Sequence, residues 1–331
     1  MSSKRKGIKK IGVFTSGGDS PGMNAAVRAV TRAALAHKLE VYGIRRGYQG
    51  MIEGDFVRLR SHDVSHIMNL GGTFLQTARS TEFRTEEGRA KAYQYLKEFS
   101  IDAVVVIGGD GSFRGALDFT QEYDIPFVGI PGTIDNDMYG TDYTIGFDTA
   151  LNTVVQAVDK IKDTANSHGR IFFVEVMGRE AGLLALKAGI ATGSEVIFIP
   201  EIKSEEKELE KFLNKGFKNK KHSGIVMVAE GDTAGGAFKI AEKVQTEHPE
   251  IGVRVSILGH MQRGGSPSAV DRIAATQMGV AAVEALLEDQ KSVMVGLKND
   301  TIVLVPLLKV VKMNRTIDDN LLNIQKVINS V

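Results

Sequence analysis

The chain has 331 residues and no cysteine. A disulfide, a thiol nucleophile and a thiolate metal site are therefore excluded, and the absence favours a cytoplasmic protein. The formal net charge is only +1 at pH 7, which argues against a basic surface for nucleic acid or for an anionic membrane. No apolar run approaches the length of a transmembrane helix. We therefore expect a globular protein with neither a nucleic-acid nor a membrane partner.

Two common nucleotide-binding motifs are also missing. The sequence has no G-x-x-x-x-G-K-[ST], and after Gly109 and Gly111 the third glycine of a G-x-G-x-x-G motif is replaced by Arg114. The motif set of protein kinases is absent as well. Any phosphate must therefore be held by other glycine turns, helix ends, arginines or a metal ion.

The most informative motifs are VVVIGGDGS at residues 104–112 and PGTIDND at residues 131–137. A run of β-branched residues is typical of a strand buried on both faces, and the glycines after it allow a sharp turn close to a ligand. Asp110, Asp135 and Asp137 follow two such strands. Carboxylates would then converge where a polyphosphate, a metal and an attacking hydroxyl meet, which predicts phosphoryl transfer.

A similar turn follows the apolar residues 11–15 near the N-terminus, where SGGDSPGMN at residues 16–24 leads into a helical pattern. Pro21 near the first helical turn, with Ser or Asp as the cap, is an ordinary helix start. The free N–H groups of that helix end would lie beside Gly17 and Gly18 and favour an anion.

Short apolar runs alternate with helical patterns along the rest of the chain, which predicts βαβ units and parallel sheets. The predicted strands are residues 11–15, 41–44, 103–107, 127–130, 171–176, 196–199, 225–229, 253–258 and 302–305. Helical spacing covers residues 25–36, 87–99, 149–164, 205–218 and 234–247, a helix is expected to begin at residues 61–66, and residues 205–221 and 281–291 read as solvated helix faces. The length favours two domains.

The chain resembles the bacterial ATP-dependent 6-phosphofructokinases in six motifs that occur in the same order along the sequence. The resemblance runs from residue 11 to about residue 296. Besides the two motifs above they are TSGGD (15–19), GGTFL (71–75), EVMGR (175–179) and LGHMQRGGSP (258–267). GGDG alone would not suffice, because NAD kinases and lipid kinases share it. The resemblance implies two Rossmann-like three-layer α/β domains with mainly parallel sheets and the active site in the cleft between them. It implies an ATP-binding domain of residues 1–146 plus about 261–310, and a fructose 6-phosphate-binding domain of residues 147–260 plus about 311–331.

The activity implied is the glycolytic, Mg²⁺-dependent transfer of the γ-phosphoryl group of ATP to the 1-hydroxyl of fructose 6-phosphate. In that family the counterpart of Asp135 is the general base, that of Asp110 acts through Mg²⁺, and that of Thr133 steers the transferred group. The counterpart of Arg79 stabilises charge on the phosphates. The remaining nucleotide positions are Gly18, Tyr48, Ser80, Gly109, Gly111 and Ser112; for Tyr48 simple packing is an equal alternative.

The resemblance also implies an arginine clamp for the sugar phosphate, for which the planar, bidentate guanidinium is suited. The matching residues are Asp137, Arg170, Met177, Gly178, Arg179, Glu230, Arg254, His260 and Arg263. Arg179 is assigned to catalysis as well. The counterparts of Arg170 and Arg254 reach a neighbouring subunit's active site within a tetramer of D₂ symmetry, so a homotetramer with shared sites is expected.

An effector site for ADP or phosphoenolpyruvate is implied by Arg28, Arg32, Lys162, Glu195, Lys218, Lys220, Lys221 and His222. Two positions depart from the family pattern: Ser61 stands where relatives carry an arginine, with Arg60 adjacent, and Lys162 replaces another arginine. We expect a pocket that binds its anions weakly.

Two alternatives stay open at this stage. Pyrophosphate-dependent relatives typically carry Asp at the position of Gly111 and Lys at that of Gly132, so the two glycines favour ATP. A catalytically silent regulatory subunit is disfavoured by the retention of Asp110, Asp135 and Arg79. The segment from Thr301 follows the family pattern poorly and is assigned no role.

Overall fold

The computed structural model describes residues 7–202, 205–219 and 223–329. The chain forms two compact units, of which the first contains the residues up to Thr133, 138–148 and 263–315. The second contains residues 134–137, 149–262 and those from Thr316 onwards. The predicted boundaries assign residues 134–137 to the first domain, whereas the structure groups them with the second unit. Within the described ranges, no helix is long and apolar enough to cross a membrane.

The first unit is built on a seven-stranded sheet in the order β11-β10-β5-β4-β1-β2-β3. Neighbouring strands are parallel except for the β2–β3 and β10–β11 pairs. The strands are β1 (Lys10–Thr15), β2 (Glu40–Ile44), β3 (Phe56–Leu59), β4 (Ala103–Gly108), β5 (Phe127–Pro131), β10 (Val293–Lys298) and β11 (Thr301–Pro306). Its helices are α1 (Met23–Ala36), α2 (Tyr48–Glu53), α3 (Glu86–Glu98), α4 (Asp110–Glu122), α9 (Ala269–Leu287) and α10 (Leu307–Lys312), with a 3-10 turn at Glu82–Arg84.

Strand β4 shows why this sheet has helices on both faces. All six of its residues are buried, and successive side chains of a strand point to opposite faces. Val105 and Ile107 pack in one apolar cluster with α1 and α9. Val104 and Val106 pack in a second cluster that contains the aromatic side chains of α2 and α4. The β-branched run therefore forms the doubly buried strand that the sequence predicts.

The second unit contains a parallel four-stranded sheet in the order β7-β8-β6-β9. Its strands are β6 (Arg170–Val176), β7 (Val196–Phe198), β8 (Gly224–Ala229) and β9 (Gly252–Ile257). The helices are α6 (Leu183–Thr192), α7 (Glu205–Asn219), α8 (Gly236–Glu247), α11 (Asp319–Asn329) and most of α5 (Phe147–His168), and the 3-10 turn Gly259–Arg263 follows β9. The prediction of α/β architecture with mainly parallel sheets is confirmed.

Several local predictions are wrong. Residues 61–66 form turns rather than a helix. Helix α1 is preceded by Gly22, whose φ of 104° is left-handed, and no side chain caps it; the expected Ser or Asp cap is absent there because the turn needs a left-handed residue. Helix α9 ends at Leu287, so the helical reading of residues 281–291 is too long. Strands β3 and β10 are not among the predicted strands. Strand β3 is a short antiparallel edge strand, and β10 is interrupted by Gly296.

Candidate active site

Three turns of the first unit meet at one edge of its sheet, because β1, β4 and β5 are parallel neighbours. Backbone hydrogen bonds join the turns directly: the N–H of Ser16 donates to the carbonyl of Ile107 at 2.9 Å, and the N–H of Gly132 donates to that of Gly108 at 3.0 Å. A Cβ on Gly108 would lie 2.5 Å from the Ser112 hydroxyl oxygen. The glycine-rich sequence thus lets these turns approach one another. Ligands of open α/β sheets bind at such carboxyl ends.

Helix α4 begins directly at this edge. Gly109 is its N-cap residue and supplies no side-chain cap, and Asp110 is the first helical residue. The Asp110 side chain is about half exposed, at 47%, and accepts a 3.3 Å hydrogen bond from Arg114. An uncapped N-terminus of a thirteen-residue helix offers N–H groups and the positive end of the helix dipole to an anion.

The loop that leads to Arg79 is fixed beside these turns. The buried side chain of Asn24 donates to the carbonyl of Leu70 at 3.0 Å and accepts from the N–H of Phe74 at 2.6 Å. Further along the loop, the Thr77 hydroxyl donates to the carbonyl of Gly17 at 2.9 Å. Arg79 itself is exposed. These bonds hold the GGTFL motif against the start of α1, and Asn24 was not predicted as a site residue.

Tyr48 lies in the core of the first unit and is only 6% exposed. Its ring stacks on Phe83 at 4.0 Å between centroids and meets Phe14 edge-on. Burial raises the pKa of the Tyr48 hydroxyl well above its ordinary value, with a smaller contribution from Asp118. This placement favours the packing alternative for Tyr48.

Arg263 belongs to the first unit, although the resemblance assigns it to the sugar phosphate. Its guanidinium donates to the carbonyl of Asp19 at 3.0 Å and fills the space where a Cβ of Gly18 would stand. The glycine at position 18 thus leaves room for this arginine at the turn after β1.

In the second unit, the residues after β6, β8 and β9 form a second group. The Glu230 carboxylate accepts from the N–H groups of Gly178 at 3.3 Å and Arg179 at 2.7 Å. Fully buried Gln262 accepts from the N–H of Met177 at 3.2 Å and donates to the carbonyl of Gly259 at 2.9 Å. Glu230 and Gln262 therefore fix the turn that carries Arg179. Gln262 was not predicted as a site residue, although it lies inside the LGHMQRGGSP motif.

Asp135 is a buried carboxylate of this unit, with an exposed fraction of 2%. The Nε of Arg179 lies 3.7 Å from its Oδ2. Arg179 has a positive φ of 52°, and its side chain is 63% exposed, so its charge points partly to solvent. A carboxylate at this position is of the chemical type that can accept a proton from a substrate hydroxyl. Asp137, two residues on, is exposed.

Arg170 and Arg254 do not join this group. Arg170 is the first residue of β6 and lies in register with Gly252, whereas Arg179 lies three residues beyond the last residue of that strand. Seven residues of extended chain put the two ends roughly 20 Å apart. Arg254 lies in register with Phe172, also near the amino end, and its guanidinium donates to the carbonyl of Val253 at 2.7 Å. His260 is exposed in the turn after β9.

The residues that could hold a divalent metal are few. Across residues 7–202, 205–219 and 223–329, no group of three or more His, Asp or Glu side chains could coordinate an ion by itself. Asp110 offers a hard oxygen ligand at the glycine turns. This fits Mg²⁺, which commonly uses one or two carboxylates together with substrate phosphates.

The effector residues are only partly described. Arg28 and Arg32 lie one helical turn apart on α1. Lys162 donates to the carbonyl of Thr192, and Glu195 accepts from the N–H of Ile225 at 2.7 Å. Ser61 is exposed in a turn. Lys220, Lys221 and His222 lie outside the described residues, as does the side chain of Lys218.

Comparisons with known proteins identify the family. The phosphofructokinase family model matches residues 10–286. The chain is 56% identical over 319 residues to "ATP-dependent 6-phosphofructokinase 2" of Bacteroides thetaiotaomicron, covering 96% of this chain and 98% of the relative. It is 54% identical over 321 residues to "ATP-dependent 6-phosphofructokinase 1" of Thermus thermophilus, covering 97% and 99%.

Solved structures give the same result. The phosphofructokinase structure of Saccharomyces cerevisiae matches with a TM-score of 0.87 and 41% identity over 92% of this chain, which spans 45% of the yeast chain. A pyrophosphate-dependent phosphofructokinase of Marinobacter aquaeolei has a TM-score of 0.83 at 23% identity, over 95% of this chain and 86% of the other, and so shares the fold. The sequence motifs, the two sheets and these matches together establish that the chain belongs to the phosphofructokinase family.

Proposed function

We propose that this protein transfers the γ-phosphoryl group of ATP to the 1-hydroxyl of fructose 6-phosphate, giving fructose 1,6-bisphosphate and ADP. The observation that carries the proposal is the buried carboxylate of Asp135 with the Arg179 guanidinium 3.7 Å away. Relatives with 54–56% identity are named for this activity. A silent regulatory subunit would not need that carboxylate.

The first unit is the donor half of this proposal. The uncapped start of α4 and the turns after β1 and β5 supply N–H groups for phosphate oxygens. Arg79, with Ser80, Gly109 and Ser112, lines the nucleotide. Asp110 would hold Mg²⁺, which neutralises phosphate charge when it is bound.

The second unit is the acceptor half. Arg179, held by Glu230, offers a fork of N–H donors to the sugar phosphate, together with His260. Asp135 accepts the proton of the 1-hydroxyl while the oxygen of that hydroxyl attacks the γ-phosphorus. The bond between the γ-phosphorus and the oxygen that leaves with ADP breaks. Thr133, two residues earlier in the chain, steers the transferred group. Since the phosphoryl group passes between two oxygens, these residues act by positioning and by charge.

ATP rather than pyrophosphate is the proposed donor because of Gly111 and Gly132. A Cβ at Gly111 would meet nothing within 4 Å, so the fold does not require glycine there. At Gly132 a Cβ would come within 2.9 Å of the flexible end of Met23. Space at Gly111 is therefore available to a ligand, which is consistent with adenosine.

We also propose a homotetramer in which Arg170 and Arg254 serve the site of another subunit. Arg170 begins β6, roughly 20 Å from the carboxyl end of that strand. Arg254 lies in register with Phe172, four residues before that end, so neither residue lies beside the turn that carries Arg179. A cytoplasmic location, favoured by the absence of cysteine, stays a prediction.

A coupled assay tests the reaction. Fructose 6-phosphate is supplied with ATP and Mg²⁺, then with pyrophosphate and Mg²⁺, and the product is measured as fructose 1,6-bisphosphate. Product formation with ATP and none with pyrophosphate would support the proposal. Turnover with pyrophosphate only would reassign the donor, and no turnover with either would support a silent subunit.

A further inference from the structure

We infer that Asp271, a residue of α9 that is far from Thr133 in sequence, positions Thr133. It does so through residues 143–146, here called the anchor segment. This inference rests on the proposed function, because Thr133 matters only if phosphoryl transfer occurs there. Asp271 is a positioning residue in this proposal and does not touch the substrate.

The anchor segment runs alongside the residues that follow β5. The N–H of Ile145 donates to the carbonyl of Pro131 at 2.9 Å, and the N–H of Thr133 donates back to the carbonyl of Ile145 at 3.1 Å. The Thr144 hydroxyl donates to the carbonyl of Thr133 at 2.7 Å. Both main-chain polar groups of Thr133 are therefore bonded to the anchor segment.

Asp271 holds the other side of the anchor segment. Its Oδ1 accepts from the N–H of Gly146 at 2.6 Å and from the hydroxyl of Tyr143 at 3.3 Å. The side chain is fully buried, at 0% exposure, and its own N–H is bonded by the capping hydroxyl of Ser268. A buried hydrogen bond to a carboxylate is short and strong because no water competes for it.

The third contact links the anchor segment to Ser20, in the turn after β1. The buried hydroxyl of Ser20 donates to the carbonyl of Ile145 at 2.8 Å. Gly146 has a φ of 106°, and a Cβ there would stand 2.5 Å from the Cβ of Ser20. Only glycine allows this approach. The anchor segment is thus held by hydrogen bonds to Ser20 and Asp271. Because Thr133 is bonded to the anchor segment, these bonds also fix the position of Thr133.

A displacement of the anchor segment would move Thr133 without removing any group that touches substrate. Misplacement by about 1 Å can cost roughly 100-fold in rate. We therefore expect Asp271→Ala to lower kcat by roughly 10- to 100-fold, with KM values changed by less than about threefold. Asp271→Asn keeps an oxygen acceptor for the Gly146 N–H, and its kcat should stay within about threefold of the wild type.

The matched control is Asp102→Ala. Asp102 also accepts hydrogen bonds from main-chain N–H groups, those of Lys9 and Lys10 at 2.8 and 2.9 Å. It lies at the amino ends of β1 and β4, opposite the glycine turns at their carboxyl ends. Its removal should leave kcat unchanged. Amide hydrogen exchange gives a readout without activity: the amides of residues 143–146 should exchange faster in Asp271→Ala, and should be protected in Asp271→Asn.

A folded Asp271→Ala protein with wild-type kcat and unchanged exchange would overturn the inference, and so would equal losses in the Ala and Asn variants. If the Ala variant does not fold, Thr144→Val and Thr144→Ser replace it: Val removes the hydroxyl bond to Thr133, Ser keeps it, and only Val should lower kcat. Equal kcat in that pair would also contradict the inference. Failure of the proposed function is distinguishable, because the wild type itself would then be inactive while exchange still reports on the anchor segment.

Discussion

The hydroxyl of Tyr48 donates a hydrogen bond of 2.5 Å to the main-chain carbonyl of Ser112. This bond joins α2 to the first turn of α4, and the Tyr48 ring stacks on Phe83 in the segment after Arg79. The three parts of the chain that bear on the proposed nucleotide site therefore share one buried aromatic side chain.

Tyr48→Phe should lower the free energy of unfolding by about 1 kcal/mol at pH 7, the net value of one hydrogen bond. Burial raises the pKa of Tyr48 well above its ordinary value, which is about 10. Above pH 10 the unfolded chain loses this proton while the folded protein keeps it, so the stability of the wild type falls as pH rises. The Phe variant lacks that loss, and urea denaturation at pH 7 and pH 10.5 measures both effects. Parallel losses in the two proteins would contradict the assignment.

Asp135→Asn should lower kcat by roughly 10²- to 10⁴-fold with little change in KM, because an amide cannot accept the hydroxyl proton. Asp102→Asn is the control, since Asp102 lies at the opposite edge of the first sheet. Steady-state kinetics with ATP and fructose 6-phosphate measure the effect. Comparable turnover in the Asp135 variant would show that another group takes the proton.

Gly111→Asp should raise the KM for ATP, since it places an anion in the open space beside the start of α4. The fold should tolerate the change, because a Cβ there meets no atom within 4 Å and an acidic residue suits the first turn of a helix. Gly111→Ala is the control that adds a Cβ without charge. An unchanged KM for ATP in the Asp variant would mean that this glycine does not set donor choice.

Subunits carrying Arg254→Ala and subunits carrying Asp135→Asn should each be inactive alone and recover activity when mixed. The reason is that a hybrid oligomer can combine an intact Asp135 in one subunit with an intact Arg254 in its neighbour. Activity is measured after dissociation and reassociation, with subunit exchange verified by a mass tag. Exchange without recovery would argue for sites contained within one chain.

Phosphoenolpyruvate and ADP should act weakly on this protein at subsaturating fructose 6-phosphate. Ser61 lacks the guanidinium fork, and Lys162 is already bonded to the carbonyl of Thr192. Each missing charge-assisted bond is worth about 1.5–3 kcal/mol. Ser61→Arg combined with Lys162→Arg should increase the response, and titration of activity against each effector measures it. Strong sigmoidal inhibition of the wild type at low micromolar effector would contradict this prediction.

Much of the fold was predictable because its signals are local. The run at residues 104–107 predicts a strand buried on both faces, and glycines after it predict a turn, since both follow from the residues' own sterics. Helix α3 begins within one residue of its predicted start. The turns at residues 61–66 were misread because a short polar stretch carries no periodic pattern.

The sequence by itself determined the strand–turn chemistry at residues 15–19, 108–112 and 131–137 and, through its ordered motifs, the phosphofructokinase family. Tertiary structure alone decided which distant groups meet. Gly146 and Asp271 are 125 residues apart, and Tyr48 and Ser112 are 64 apart, so no local pattern relates them. It also separated Arg170 from Arg179, although the resemblance assigns both to the sugar phosphate, because Arg170 begins the seven-residue strand β6 and Arg179 lies three residues beyond its end. Hydrogen bonds between distant segments form only once the sheets and helices have packed, and their geometry is a property of that packing.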